Sequence, residues 1–315
     1  MKPNLTLSAP HIRRPRTTLS LMADVLVALI PATIAAVWLF GPRALWLLLF
    51  SMAVCQGTEL LCLFLRKAPG FDGSALVTGA LLALSLPAGI PFWAVALAGV
   101  LSIAVVKQLF GGIGHNLFNP AMAGRALLQV AFPAVLTGYA ALDATASATP
   151  LATLERNSLP NMLFGMENGS MGETSALLLM LGGAYLYLRG VIRLRVPLCV
   201  LGGCAAVVWI CGGDIPFTGP VTAHLLSGGL MMGAFFIATD YATKPATAGG
   251  EILFALGVGV LTGLLRLYGP YPEGVCYAVL LMNLAAPLLE YLTRPAVYGV
   301  RQAREAKRQA KGGAL

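Results

Sequence analysis

Ten apolar stretches divide this sequence, at residues 22–40, 44–64, 73–87, 91–110, 119–137, 175–190, 196–213, 223–239, 251–269 and 274–292. Each approaches the roughly 20 residues that an α-helix needs to span a bilayer, the shorter ones as spans that are partly broken. The rest of the composition agrees. Of 315 residues, 57% are hydrophobic and 11% charged, against about 25% charged in soluble domains. In water such a chain would expose aggregating surface, so its solvent is lipid. The expected fold is an all-α integral membrane protein of about ten transmembrane helices. Prolines at 31, 120, 133 and 287 fall within or at the edges of these stretches. Such breaks are tolerated where protein or a cavity satisfies the freed backbone groups.

Ten crossings put both termini on one side, and the charges indicate which. With the N-terminus in the cytoplasm, all but Arg43, Arg156 and Arg266 of the 21 lysines and arginines fall on the inner segments, the bias of the positive-inside rule. The same distribution accounts for the net charge of +8 without nucleic acid, and the basic tail REAKRQAKGG reads as a solvated cytoplasmic end. The first twenty residues contain HIRRPR and no apolar core, so no cleavable signal peptide is expected. The chain then divides into a cytoplasmic N-terminal segment (1–21), a first membrane repeat (22–137), an extracytoplasmic loop (138–174), a second membrane repeat (175–292) and the cytoplasmic tail (293–315).

The third and eighth stretches, GFDGSALVTGALLALSLP and PFTGPVTAHLLSGGLMMGAFFIATD, are short, glycine-rich and each introduced by Phe-x-Gly. They occupy corresponding places in two five-helix halves, and because five is odd the second half runs inverted. Paired, interrupted segments in inverted halves commonly build a site at the repeat interface. The six cysteines lie mostly in apolar runs without a CxxC, and the three histidines are dispersed. Neither a disulfide framework nor a metal centre is expected.

The longest loop carries DATASATPLATL, residues 143–154. A threonine hydroxyl is a poor nucleophile unaided. It can be esterified when a separate enzyme grips an exposed, small-residue loop and brings an activated phosphoryl donor, with Asp143 nearby to assist; on residue types alone a plain Ser/Thr/Ala loop is the alternative. GGIGHNLFNPAMAGR, residues 111–125, offers glycines for close backbone approach and two asparagine amides able to bond the edge of a planar heterocycle, with a glycine-rich turn into a helix starting at Pro120 as the alternative. It lacks G-x-G-x-x-G, so a dinucleotide cradle is not supported. Ionisable groups within lipid are costly and are therefore candidate functional residues. Glu59 lies inside the second stretch, while Asp24, Asp72, Lys107, Arg125, Asp240 and Glu290 sit near ends. Glu59, Asp72 and Asp240 are candidates for an ion pathway, with pairing to a neighbouring helix or subunit the alternative for Glu59.

The stretches FDGSALVTGALLALSLP, GGIGHNLFNPAMAGRALL, SATP, FFIATDYATKP and YAVLLMNLAAPLLEYLTRPAVYG resemble the RnfD family, the D subunits of the Rnf electron-transport complex. That family is related to the B subunits of the sodium-translocating NADH:quinone reductase. The resemblance implies FMN attached through its phosphate to a threonine in a D-x-x-(S/T)-G-A-T pattern. Asp143 and Ala148-Thr149 match, whereas Ala146 and Ser147 depart from the usual Ser/Thr and Gly. Thr149 is the implied acceptor, with Asp143, Ser147 and Ala148 completing the motif and Thr145 and Thr153 weaker candidates. The resemblance also implies a noncovalent riboflavin near Asn116 and Asn119.

It further implies a flavin-carrying subunit of an ion-translocating ferredoxin:NAD oxidoreductase, relaying electrons across the bacterial inner membrane coupled to Na⁺ or H⁺ transport. The implied partners are membrane iron–sulfur subunits, a second covalent-FMN subunit, and soluble NAD- and ferredoxin-interacting subunits, with no nucleic acid. The Thr149 loop would face outward. An inverted-repeat channel or secondary transporter without redox chemistry is the alternative, one that would have no need for the threonine motif.

Overall fold

The computed structural model describes residues 17–67, 70–136, 163, 169–172, 175–213, 215–269 and 274–295. Thr149, Asp143, Ser147 and Ala148, together with most of the N-terminal segment, the outer loop and the basic tail, lie outside the described residues. Among the described residues every regular element is helical.

Helix α1 (Thr18–Phe40) starts at Thr17, whose side chain accepts a hydrogen bond from the Ser20 amide, and stops at Gly41. That glycine has φ 79° and also precedes α2 (Pro42–Arg66), where Pro42 occupies the first turn. A proline costs nothing there, because the first amides have no intrahelical partner. One residue therefore joins two long spans. Helix α3 (Ser74–Leu84) has 11 residues, about 16 Å at 1.5 Å per residue, half of a bilayer crossing. All but one of its residues are buried, so protein rather than lipid surrounds its ends. Helix α4 (Phe92–Val100) continues as a π-helical stretch, Leu101–Gln108.

Two expected spans are broken. The stretch 119–137 ends as a regular helix at Ala131 (α5, Pro120–Ala131), and a short turn, α6 (Pro133–Leu136), follows Phe132. Pro133 lacks the amide that would continue the ladder. The stretch 223–239 divides into α9 (Val221–Leu226) and α10 (Leu230–Met232), the latter running into π-helical Gly233–Ile237. Between them Ser227 is extended and Gly228 has φ 65°. Arg266 repairs the break from a neighbouring helix, donating to the carbonyls of His224 and of Ser227 (2.9 Å). The other elements are α7 (Ala176–Leu188), α8 (Arg195–Cys211), α11 (Ala248–Tyr268) and α12 (Val275–Leu292).

α1, α2, α11 and α12 are long and apolar enough to cross a membrane, and α3, α4 with its extension, α7 and α8 are shorter apolar helices. Large apolar side chains face outward, including Trp38, Phe64 and Leu188 at 75%, 80% and 82% exposure. An apolar exterior of this kind is stable against lipid rather than water. The chain is a multi-pass membrane protein.

In the first half α2 packs on α3 and α4, and α5 on α3 and α4; in the second, α8 packs on α11 and on the α9–α10 segment, and α12 on α11. The halves meet through α1 against α7 and α5 against α12. Small residues set the closest approaches. A Cβ on Gly259 would lie 2.2 Å from the Val200 carbonyl oxygen, and one on Gly203 2.9 Å from that of Leu256. Such backbone proximity is how helices associate where no hydrophobic drive distinguishes helix from lipid.

Candidate functional site

A cleft lies where α1, α3 and the α4–α5 loop meet the loop after α7 and the end of the α10 segment. Both halves therefore supply its walls. Its body is apolar, from residues such as Met22, Val77, Leu81 and Phe236, and its polar groups are few: Ser74, Thr78, Lys107, Asn116, Asn119, Thr239, Asp240 and Tyr241. A largely apolar cavity with a handful of placed polar groups is the usual form of a small-molecule site.

The α4–α5 loop owes its path to glycine. Gly111, Gly112 and Gly114 have φ of 124°, 101° and 84°, values that side chains with a Cβ rarely adopt. Asn116 closes the turn, its Oδ1 accepting from the Gly114 amide and its Nδ2 donating to the Phe118 carbonyl, both at 3.2 Å. Asn119 caps α5 by accepting from the Met122 amide (3.2 Å) and donates from Nδ2 to Asp240 Oδ2 across the half interface (3.4 Å). Both asparagines line the cleft and both are buried. An amide nitrogen carries two hydrogens, so each keeps one N–H beyond these bonds. These donors beside an apolar wall suit the edge of a planar heterocycle such as a flavin.

Asp240 accepts from the Ala242 amide (3.0 Å) and the Thr243 hydroxyl (3.3 Å) as well as from Asn119. Burial nevertheless pushes its carboxyl above the ordinary carboxylate range. The adjacent Tyr241 is pushed up to about 12, first by burial and then by Asp240 and Asp72.

Glu59, Asp72 and Lys107 form a connected group behind the same end of the cleft. Lys107 Nζ donates to Glu59 Oε1 and Ser74 Oγ and lies 3.5 Å from both oxygens of Asp72. Asp72 Oδ1 also accepts from the Ser74 amide (2.8 Å) and hydroxyl (2.6 Å), tying down the start of α3. Gln108 donates to Glu59 Oε1 (3.2 Å) and is itself held by Arg66. Glu59 Oε2 is buried and has no hydrogen-bond partner among the described residues.

The nine expected site residues thus sort plainly. Asn116, Asn119 and Asp240 line one cleft, and Asp72 and Glu59 reach it through Ser74 and Lys107. The four residues of the Thr149 motif lie outside the described region. Lys107 was visible in the sequence as an ionisable residue near a helix end. Its pairing with Glu59, 48 residues away, was not, because it depends on the register of α2 against α4. Arg125, counted among the inner cations, is a buried helix residue whose guanidinium meets the Ser85 carbonyl and Ser170 hydroxyl. Among the described residues no cluster of His, Cys, Asp or Glu is placed to hold a metal ion, and all six cysteines are free.

A multi-pass helical body with a largely apolar cleft between its two halves defines the class. The chain belongs to the NQR2, RnfD, RnfE family, whose model matches residues 5–299. A protein of Acetobacterium woodii, named as the D subunit of a Na(+)-translocating ferredoxin:NAD(+) oxidoreductase complex, is 44% identical over 322 residues, covering 98% of each chain. One of Clostridium ljungdahlii, named as the D subunit of a proton-translocating ferredoxin:NAD(+) oxidoreductase complex, is 40% identical, covering 94% of this chain and 96% of its own. One of Halorhodospira halophila, named as the D subunit of an ion-translocating oxidoreductase complex, is 37% identical, covering 93% and 95%.

Proposed function

We propose that this chain is a flavin-carrying membrane subunit of an ion-translocating ferredoxin:NAD oxidoreductase, relaying electrons across the bilayer. The observation that carries the reading is the near full-length similarity to relatives named as the D subunits of such complexes. On that reading Thr149 holds FMN covalently on the outer face, within the motif of Asp143, Ser147 and Ala148, and riboflavin occupies the cleft of Asn116 and Asn119. A flavin supplies the electron-carrying chemistry, while the protein sets its position, polarity and access to water. Asn116 and Asn119 would orient the ring edge, Asp240 and Tyr241 would bound it, and the apolar walls would exclude water. Partners are the iron–sulfur membrane subunits, the second covalent-FMN subunit and the soluble subunits that meet NAD and ferredoxin.

Ten spans in two inverted repeats, with both termini inside a bacterial inner membrane, are part of the proposal. The recurring packing supports them: α2 with α3 and α4 parallels α8 with the α9–α10 segment and α11. Lys107 near the end of the fourth span meets the start of the third, as Arg266 near the end of the ninth meets the first half of the eighth. These features equally suit descent from a transporter, the second reading, which has no use for a phosphothreonyl flavin.

The two readings separate on a denaturing gel. Membranes should give a fluorescent band near 33 kDa, and Thr149→Ala should abolish it; fluorescence that survives in the variant would defeat the assignment. Relatives of similar identity are named for sodium and for protons, so overall similarity does not choose the ion. Ion passage by way of Glu59, Asp72 and Asp240 is tested by Glu59→Gln in sealed vesicles, where unaltered pumping would remove it.

A further inference from the structure

Among the described residues lining the cleft, one is a cation, Lys107, and one carries a carboxyl, Asp240. They are held differently. Asp240 sits on a loop with three hydrogen-bond donors directed at it, so its oxygens are largely engaged by neutral groups. Lys107 is 2% exposed and stands on the π-helical end of the fourth span. Its counter-charges are not on the cleft wall: Glu59 approaches from α2, 1% exposed, and Asp72 from the residues before α3. Lys107 therefore borders the cleft while the two anions paired with it do not.

The π-helical geometry has a reason in this arrangement. An extra residue per turn re-aims side chains relative to an α-helix, and such turns concentrate at functional sites. Here consecutive Lys107 and Gln108 both address Glu59, Lys107 from Nζ and Gln108 from Nε2. Ser74 Oγ accepts a third contact from Lys107 and is itself fixed by Asp72. A long, flexible side chain is thereby held in one place within a low-dielectric interior, where a unit charge acts over several ångströms with little screening.

We propose that Lys107 is the positioning residue that sets the reduction potential of the ring in this cleft, and that Glu59 sets how much of its charge the ring experiences. The inference rests on the cleft being a flavin site. Reduction adds an electron, and so negative charge, to the ring. The Lys107 side chain offsets that charge through space, without forming or breaking a bond. Glu59 partly cancels the same field from the far side. Neutralising the two residues therefore moves the equilibrium in opposite directions, a signature that loss of packing does not produce.

The test uses the full-length chain in detergent, in a Thr149→Ala background loaded with riboflavin, so that the bound ring is noncovalent. Flavin content is measured after acid extraction. The reduced-to-oxidised ratio is followed by absorbance during mediated titration with dithionite, which supplies the electrons. Lys107→Met should retain riboflavin and lower the ratio for the first electron about tenfold at fixed potential, equivalent to about 59 mV. Lys107→Arg should stay near the parent, and Glu59→Gln should raise the ratio. Where Lys107→Met does not fold, the upward shift in Glu59→Gln carries the test. Bound riboflavin with ratios in the folded variants within twofold of the parent, or shifted in one direction, would overturn the inference and leave the cleft reading intact. A parent chain that takes up no riboflavin would overturn both.

Discussion

Asn119 shows how much one side chain does in this molecule. Its carbonyl oxygen caps α5 while its amide nitrogen reaches Asp240 in the other half. Asn119→Ala removes both. Losing a cap of this kind costs about 1 kcal/mol, and Asp240 Oδ2, left with Thr243 as its donor, adds to that. The variant should melt a few degrees lower in detergent and retain less noncovalent flavin. Unchanged flavin content would separate the cap from the site. The sequence made Asn119 a candidate because two amides stood three residues apart beside glycines. That it also fastens the halves together was not legible, since its partner lies 121 residues away. Asp240 was a candidate in the sequence, as an acid at the end of the eighth stretch able to line one cavity with Asp72; Asp240 does line the cleft, whereas Asp72 reaches it through Ser74.

At the scale of elements, the half-length and broken helices carry the consequences. α3 is too short to cross a bilayer alone, and α9 and α10 are interrupted at Ser227–Gly229. Their backbone groups survive at membrane depth because other helices supply partners. Arg266 is such a partner. Arg266→Met should strip donors from two carbonyl oxygens, each costing about 1–3 kcal/mol when left buried and unpaired. Thermal unfolding of the purified chain should register it as a marked loss, and Arg266→Lys should recover part.

The α8–α11 contact makes a separate prediction. Gly259→Leu would drive a side chain into the Val200 carbonyl, a backbone atom that cannot rotate aside. Overpacking of this kind costs about 1–3 kcal/mol or more. Gly202→Ala, where an added Cβ meets nothing within 4 Å, is the neutral control. The glycine-rich third and eighth stretches announced their irregularity in the sequence. Arg266 did not announce its role, since one arginine near a helix end resembles any interfacial charge.

For the whole molecule, the proposed orientation has a direct readout. In a background without the exposed thiol of Cys211, Ser158→Cys should react with a membrane-impermeant maleimide in right-side-out vesicles, and Ala314→Cys only in inverted ones. The opposite pattern would place Thr149 in the cytoplasm and refute the outward flavin.

Membership of the membrane class, the approximate limits of the helices and the resemblance to a family were written in the sequence alone. Apolar length, glycine and proline placement and local motifs act over short stretches of chain and do not depend on folding. The cleft, the Glu59–Lys107–Asp72 group and the contact from Asn119 to Asp240 belong to the tertiary structure. Each joins residues from helices or helix ends far apart in the chain, and their separation depends on crossing angle and register. Those are decided by side-chain packing among helices that hydropathy alone cannot tell apart.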